Sequence, residues 1–251
     1  MYRERGTTTL SIPTQAVLGA GDSQAAAARS SVIDGLPVGE SIPAHWESLM
    51  ASSSSSPSLI VVTGFGPFGS YFVNSSWEAV KELAKLGLGD DVQLKILELP
   101  VKYSEVEKKM KWIWTELQPQ LSVHVGMMSS SKAIALEQCG RNKGYMEKDL
   151  SGAHPQGGCC LLEGPERIES AVNMKSVCKN ISWPGVHVIH SRDAGRYLCE
   201  YAYYMSLYYG SGKAVFIHVP ALGRIITAGL LGQSLQIIIQ EVLRQLNQLC
   251  A

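Results

Sequence analysis

From Leu59 onward the chain alternates short apolar runs with longer amphipathic ones, and this alternation restricts the possible folds more than any other feature. The short runs are Leu59–Thr63, Val92–Leu97, Leu121–Val125, Ala133–Leu136, Val186–Ile189 and Ala214–Val219. They are rich in Val, Ile and Leu, as expected of strands covered on both faces. Between them lie helical patterns. Ser75 followed by Glu78 reads as a capping box, opening a helix whose Trp77, Val80, Leu83 and Ala84 share one face. Further helices are expected over Tyr103 to about Leu117, over Ile168–Val177, from about Cys199 to Gly210, and over Leu230–Leu249. Strands and helices in this order predict an α/β fold of three layers.

Residues 1–57 lack this texture. They are rich in Ser, Ala, Thr and Gly and end in the tract Ser52 to Ser56 before Pro57, which predicts a disordered extension preceding a single domain over 58–251. His45, Trp46, Leu49 and Met50 are either one short helix or stray apolar residues. Lys plus Arg and Asp plus Glu each total 22, so no global field favours nucleic acid or an acidic membrane. No apolar run approaches the roughly 18 to 20 residues that span a bilayer, and no secretory core is visible, so a cytoplasmic location is expected. Arg3, Arg5 and Arg29 faintly suggest a transit peptide, but Glu4, Asp22 and Asp34 interrupt it. Six cysteines at irregular spacing, two of them adjacent at Cys159 and Cys160, read as free thiols rather than a disulfide framework.

The stretch Ser191 to Pro220 holds the elements of a nucleophile. Cys199 falls in the first turn of an expected helix, where the positive end of the dipole favours a thiolate, and His218 lies near the C-terminal end of an expected strand. Open α/β sheets place their chemistry at that end. Pattern alone leaves two readings open, a catalytic pair or two structural side chains in the core. The glycine-rich Gly64-Phe65-Gly66-Pro67-Phe68-Gly69 follows the first strand, but Pro67 and two aromatics suit a phosphate cradle poorly. Phe65 and Phe68 fit an apolar slot for a small flat ligand, with ordinary core packing as the alternative. His187 and His190 are an odd number of positions apart on an expected strand, so a shared metal is not expected.

Several motifs occur in an order that resembles the pyroglutamyl-peptidase I family: V-V-T-G-F-G-P-F-G, V-N-S-S-W-E-A-V, H-V-G, L-E-Q-C-G-x-N-K-G-Y, S-R-D-A-G-R-Y-L-C and F-I-H-V-P. The similarity runs from about Leu59 to the C-terminus. It implies a cysteine omega-peptidase on a three-layer α/β/α sandwich with a twisted mixed sheet, phosphorylase- or hydrolase-like, acting on peptides with an N-terminal pyroglutamate; no cofactor and no metal are expected. The resemblance assigns Glu137, Cys199 and His218 as the catalytic set, Phe65 and Phe68 as a sandwich for the lactam ring, and Asn74 as a brace for the loop that shapes the pocket. Asp193 and Arg196 are expected to form a structural ion pair near the Cys199 turn. A monomer or weak homo-oligomer is expected, with no nucleic-acid or membrane partner.

Two stretches depart from the family pattern. After H-V-G the chain reads Met127-Met128-Ser129-Ser130-Ser131-Lys132, which alters the expected pocket wall. No arginine lies between Arg141 and Arg167, where family members tend to carry one that assists the oxyanion; the corresponding stretch is Glu147-Lys148-Asp149-Leu150-Ser151-Gly152. The alternative is therefore a weakly active or inactive paralogue that binds pyroglutamyl or lactam-like ligands. A looser analogy, to purine nucleoside phosphorylases, leaves Cys199 and His218 without a purpose.

Overall fold

A computed structural model describes residues 57–181 and 185–250. The expected extension, with the apolar residues at 45–50, lies outside the described residues apart from Pro57 itself. The strands are β1 (Ser58–Phe65), β2 (Val92–Leu99), β3 (Leu121–Met127), β4 (Ile134–Glu137), β5 (Cys139–Arg141), β6 (Arg167–Glu169), β7 (Val188–Ser191) and β8 (Ala214–Val219). The helices are α1 (Ser75–Leu86), α2 (Tyr103–Trp112), α3 (Met174–Asn180), α4 (Leu198–Tyr209) and α5 (Ala228–Cys250).

Six strands form one mixed sheet in the order β2-β1-β3-β8-β4-β7. All neighbours are parallel except β4 and β8, which run antiparallel. On one face Ile60, Val62, Val123, Val125 and Ile217 pack against α1, α3 and α5. On the other, Val61, Phe65, Leu99 and Phe216 meet the tyrosines of α4 and the apolar side of α2. Helices thus cover both faces of the sheet, the three-layer α/β/α arrangement expected from the alternation.

Three local features differ from the sequence expectation. The α1 cap is Asn74, not Ser75: the Asn74 side chain accepts from Ser76 N, while Ser75 is already helical. The helix expected over Ile168–Val177 is instead strand β6 followed by α3. Residues 167–169 pair antiparallel with β5, and Asn173 restarts the chain as a helix by accepting from Ser176 N. Finally, α2 leaves α-helical geometry at Ile113 and ends in one π-turn over Ile113–Leu117.

Candidate active site

The candidate site gathers at the C-terminal ends of β1, β3 and β8, where the antiparallel β4 passes. β8 is buried along its whole length and carries His218 one residue from its end. β4 places Glu137 opposite Phe216. Residues two apart on a pleated strand share a face, so Glu137 is the diagonal neighbour of His218. The His218 Nδ1–H donates to Glu137 Oε1 at 2.9 Å, which leaves Nε2 for Cys199. Both partners are out of solvent, and Glu137 Oε2 has no hydrogen-bond partner among the described residues. Burial disfavours the protonated imidazole, but the hydrogen bonds to Cys199 and Glu137 and their charges outweigh it and raise His218 to about 9.

Cys199 is the second residue of α4, whose cap residue Tyr197 makes no side-chain capping bond. The first-turn amides therefore remain open to a group in the cleft. Room for the sulfur comes from Gly126, which is level with His218 on the neighbouring strand. A methyl group there would lie 2.6 Å from Cys199 Sγ and 2.8 Å from Phe216 Cζ. Sequence reasoning gave Gly126 no role, although its place in H-V-G beside the histidine strand was a usable signal.

A cleft with about 670 Å³ of open space reaches Cys199 and His218. Phe65 and Phe68 both line it, but in different settings. Phe65 is the last residue of β1 rather than a loop residue, and it joins the aromatic core. Phe68 is half-buried, with its ring 5.7 Å from that of Tyr71. Asn74 lines the cleft with its polar atoms already engaged: Nδ2 donates to Gly66 O at 2.9 Å, and Oδ1 accepts from Ser76 N and Ser76 Oγ. Ser76 Oγ in turn accepts from Phe65 N. These bonds tie the 65–68 segment to the start of α1.

Met127 and Met128 form part of the wall, so the stretch that departs from the family pattern borders the cleft. The expected Asp193–Arg196 pair is present at 2.7 Å and extends to Arg141 and Glu200. Residues 147–152, the stretch without the family's arginine, dock on α2, where Asp149 Oδ2 accepts Tyr103 N, and touch the cleft wall through Lys148 O, which accepts from the Tyr197 hydroxyl. Cys160 lies away from the cleft, and burial pushes its thiol well above the ordinary range. Among the described residues no cluster of three or more His, Cys, Asp or Glu is arranged to hold a metal.

Comparisons with known proteins show what the chain is similar to. The family model described as pyroglutamyl peptidase matches residues 58–246. The chain is 49% identical over 191 residues to pyroglutamyl-peptidase 1 of Mus musculus, covering 75% of this chain and 91% of that protein. It is 53% identical over 169 residues to the pyroglutamyl-peptidase 1-like protein of Homo sapiens, covering 66% and 86%. The fold matches a mutant pyrrolidone carboxyl peptidase from Pyrococcus furiosus with a TM-score of 0.68 at 24% identity, over 74% of this chain and 99% of that one.

Proposed function

The chain belongs to the pyroglutamyl peptidase family, and from that premise we propose that it is a cysteine peptidase that removes N-terminal pyroglutamate from peptides. One observation carries the assignment of residues: His218 stands between the Glu137 carboxylate, 2.9 Å from Nδ1, and Cys199 at the foot of a partly aromatic cleft.

In this reading the lactam ring enters between Phe65 and Phe68, on the loop that Asn74 braces. The Cys199 proton passes to His218 Nε2 as the sulfur attacks the carbonyl joining pyroglutamate to the next residue. The oxyanion develops towards the open amides at the start of α4, a donor type worth a few kcal/mol each in the transition state. Glu137 holds the ring in the useful tautomer and stabilises the imidazolium. The carboxylate of Glu137 favours the protonated ring, and His218 gives that proton to the leaving amine as the C–N bond breaks. His218 then accepts a proton from water as its oxygen attacks the thioester. Pyroglutamate departs, and the sulfur recovers the proton.

The test is hydrolysis of a pyroglutamyl fluorogenic amide by the full chain. Turnover is expected to be abolished by iodoacetamide and by Cys199→Ser and His218→Ala separately. Unchanged turnover in either variant would overturn the residue assignment.

A weakly active, ligand-binding paralogue is the second reading. It is favoured by the Met127 and Met128 wall and by residues 147–152, which pack on α2 and bring no arginine to the cleft. Binding of pyroglutamate without turnover would select it. The peptidase unit is proposed to span 58–251, supported by the family match over 58–246. We also propose a cytoplasmic monomer or weak homo-oligomer. Among the described residues no helix is long and apolar enough to cross a membrane. Fractionation and light scattering test both points.

A further inference from the structure

Behind one wall of the cleft lies a charged cluster that the chemistry above does not use. Glu200 follows Cys199 in α4, yet its side chain is fully enclosed. Its Oε2 accepts Arg196 Nη1 at 2.7 Å, while Oε1 has no hydrogen-bond partner among the described residues. The same Arg196 nitrogen donates to Asp193 Oδ1 at 2.7 Å and to the Gly195 carbonyl. One guanidinium thus ties the first turn of α4 to the preceding turn, and Ala194 through Leu198 form that side of the cleft. The arginine is closely seated: a Cβ on Gly144 would come within 2.9 Å of Arg196 Cδ.

The surroundings single out Glu200 as the decisive partner. Asp193 is 61% exposed, so its pairs with Arg196 and Arg141 are screened by water and salt. Arg141, from β5, is 3.9 Å from Glu200 Oε1. Tyr145 and Cys160, from the segment between β5 and β6, face the same carboxylate, whereas Glu107 of α2 faces Tyr201. A buried carboxylate held chiefly by one arginine is stable as an anion only while that contact is intact.

We propose that Glu200 is a positioning residue, which when ionised clamps Arg196 and so holds the Ala194–Leu198 wall in the form that receives the pyroglutamyl ring. Protonation releases the clamp. Burial raises the Glu200 carboxyl most strongly, Arg196 and Arg141 oppose the rise, Asp193 adds to it, and the balance lies at about 7. The wall therefore loosens as pH falls through neutrality. Because the wall borders the ring and leads directly into the first turn of α4, which carries Cys199 and the open amides, the effect falls on kcat/KM and includes a rise in KM.

Only the kinetic part of the test rests on the peptidase reading. With the full chain and a pyroglutamyl fluorogenic amide, wild-type KM is expected to rise several-fold as pH drops from about 8 to about 6. Glu200→Gln should show a KM raised about 3- to 10-fold over the wild-type value at about pH 8, at every pH and with no inflection near neutrality. A variant that merely lost folded protein would lower apparent kcat and leave KM unmoved. Arg196→Lys keeps the charge but is one bond shorter and lacks the planar guanidinium, and should raise KM similarly. Hydrogen exchange at residues 194–198, corrected for intrinsic rates, should be faster in Glu200→Gln, and faster in wild type at about pH 6 than at about pH 8. Unchanged exchange in these comparisons overturns the proposal whatever the kinetics. If wild type does not turn over, the peptidase reading fails while exchange still decides the clamp; if Glu200→Gln does not fold, exchange in wild type across pH decides it.

Discussion

His124 and His218 extend from adjacent strands onto the same face of the sheet, with Phe216 between them, its ring 6.5 Å from the first imidazole and 4.8 Å from the second. Both are buried, yet they differ in charge. His124 has two hydroxyl partners, Thr63 Oγ1 at 2.8 Å and Ser122 Oγ at 3.3 Å, and burial lowers it to about 3. His218 has a carboxylate and a thiol, and its pKa rises to about 9. Burial acts on both rings in the same direction, so the partners decide the outcome. One ring is a neutral strut, and the other can hold a proton through a reaction.

The most severe way to break this contrast is to give His218 the uncharged surroundings of His124. Glu137→Gln keeps the shape of the side chain and removes the charge that stabilises the imidazolium. On the peptidase reading, kcat for a pyroglutamyl amide should fall about 10²- to 10⁴-fold with the fold retained. Circular dichroism and steady-state kinetics on the same preparation check both halves. A loss below about tenfold would mean that the Glu137 charge is not what distinguishes the two sites.

A smaller effect is expected from displacing the thiol. Gly126→Ala puts a methyl where Cys199 Sγ and the Phe216 ring already sit, at 2.6 and 2.8 Å, so one of them must move. A displacement of about 1 Å costs on the order of 10² in rate. Iodoacetamide labelling of Cys199 followed by mass spectrometry would show the change independently of turnover. Labelling at the wild-type rate would show that the sulfur has room that the structure does not give it.

The sequence made half of this contrast legible. Each of the six strands of the main sheet announced itself as an apolar run, and His218 and Cys199 stood out because a strand end and a helix start are where their chemistry belongs. Glu137 did not stand out, since it lies 81 residues from His218 and only the antiparallel pairing of β4 with β8 makes them diagonal neighbours. Family resemblance supplied it where local pattern was silent. Strand β6 was missed because its three residues pair only with the distant β5. Glu200 was missed for another reason. A glutamate in a helix reads as solvent-facing, but α4 is buried almost all round.

His124 offers a milder test. His124→Leu removes the partner of two buried hydroxyls, and each orphaned group costs about 1 to 3 kcal/mol. Urea unfolding should show a loss of that size, with kcat per folded molecule close to wild type. A large fall in kcat with unchanged stability would make His124 part of the chemistry and collapse the distinction.

The subtlest test uses the opposite signs of the two pKa shifts, since both rings would titrate near 6.5 in the unfolded chain. His218 binds its proton more tightly when folded, so its contribution to stability is complete below about 6.5 and is lost as pH rises through about 9. His124 resists protonation when folded. Its neutral form contributes fully above about 6.5, and stability is lost as pH falls towards about 3, while the unfolded chain takes up a proton that the folded ring refuses. His218→Gln should therefore flatten the alkaline limb of a Tm against pH curve and His124→Gln the acid limb, by a few degrees each for a domain of this size. Other groups titrate over the same range, but they are common to wild type and variants and cancel in the difference. If both variants flatten the same limb, hydroxyls and carboxylates have been given the wrong weight, and the chemical distinction between the two histidines fails with them.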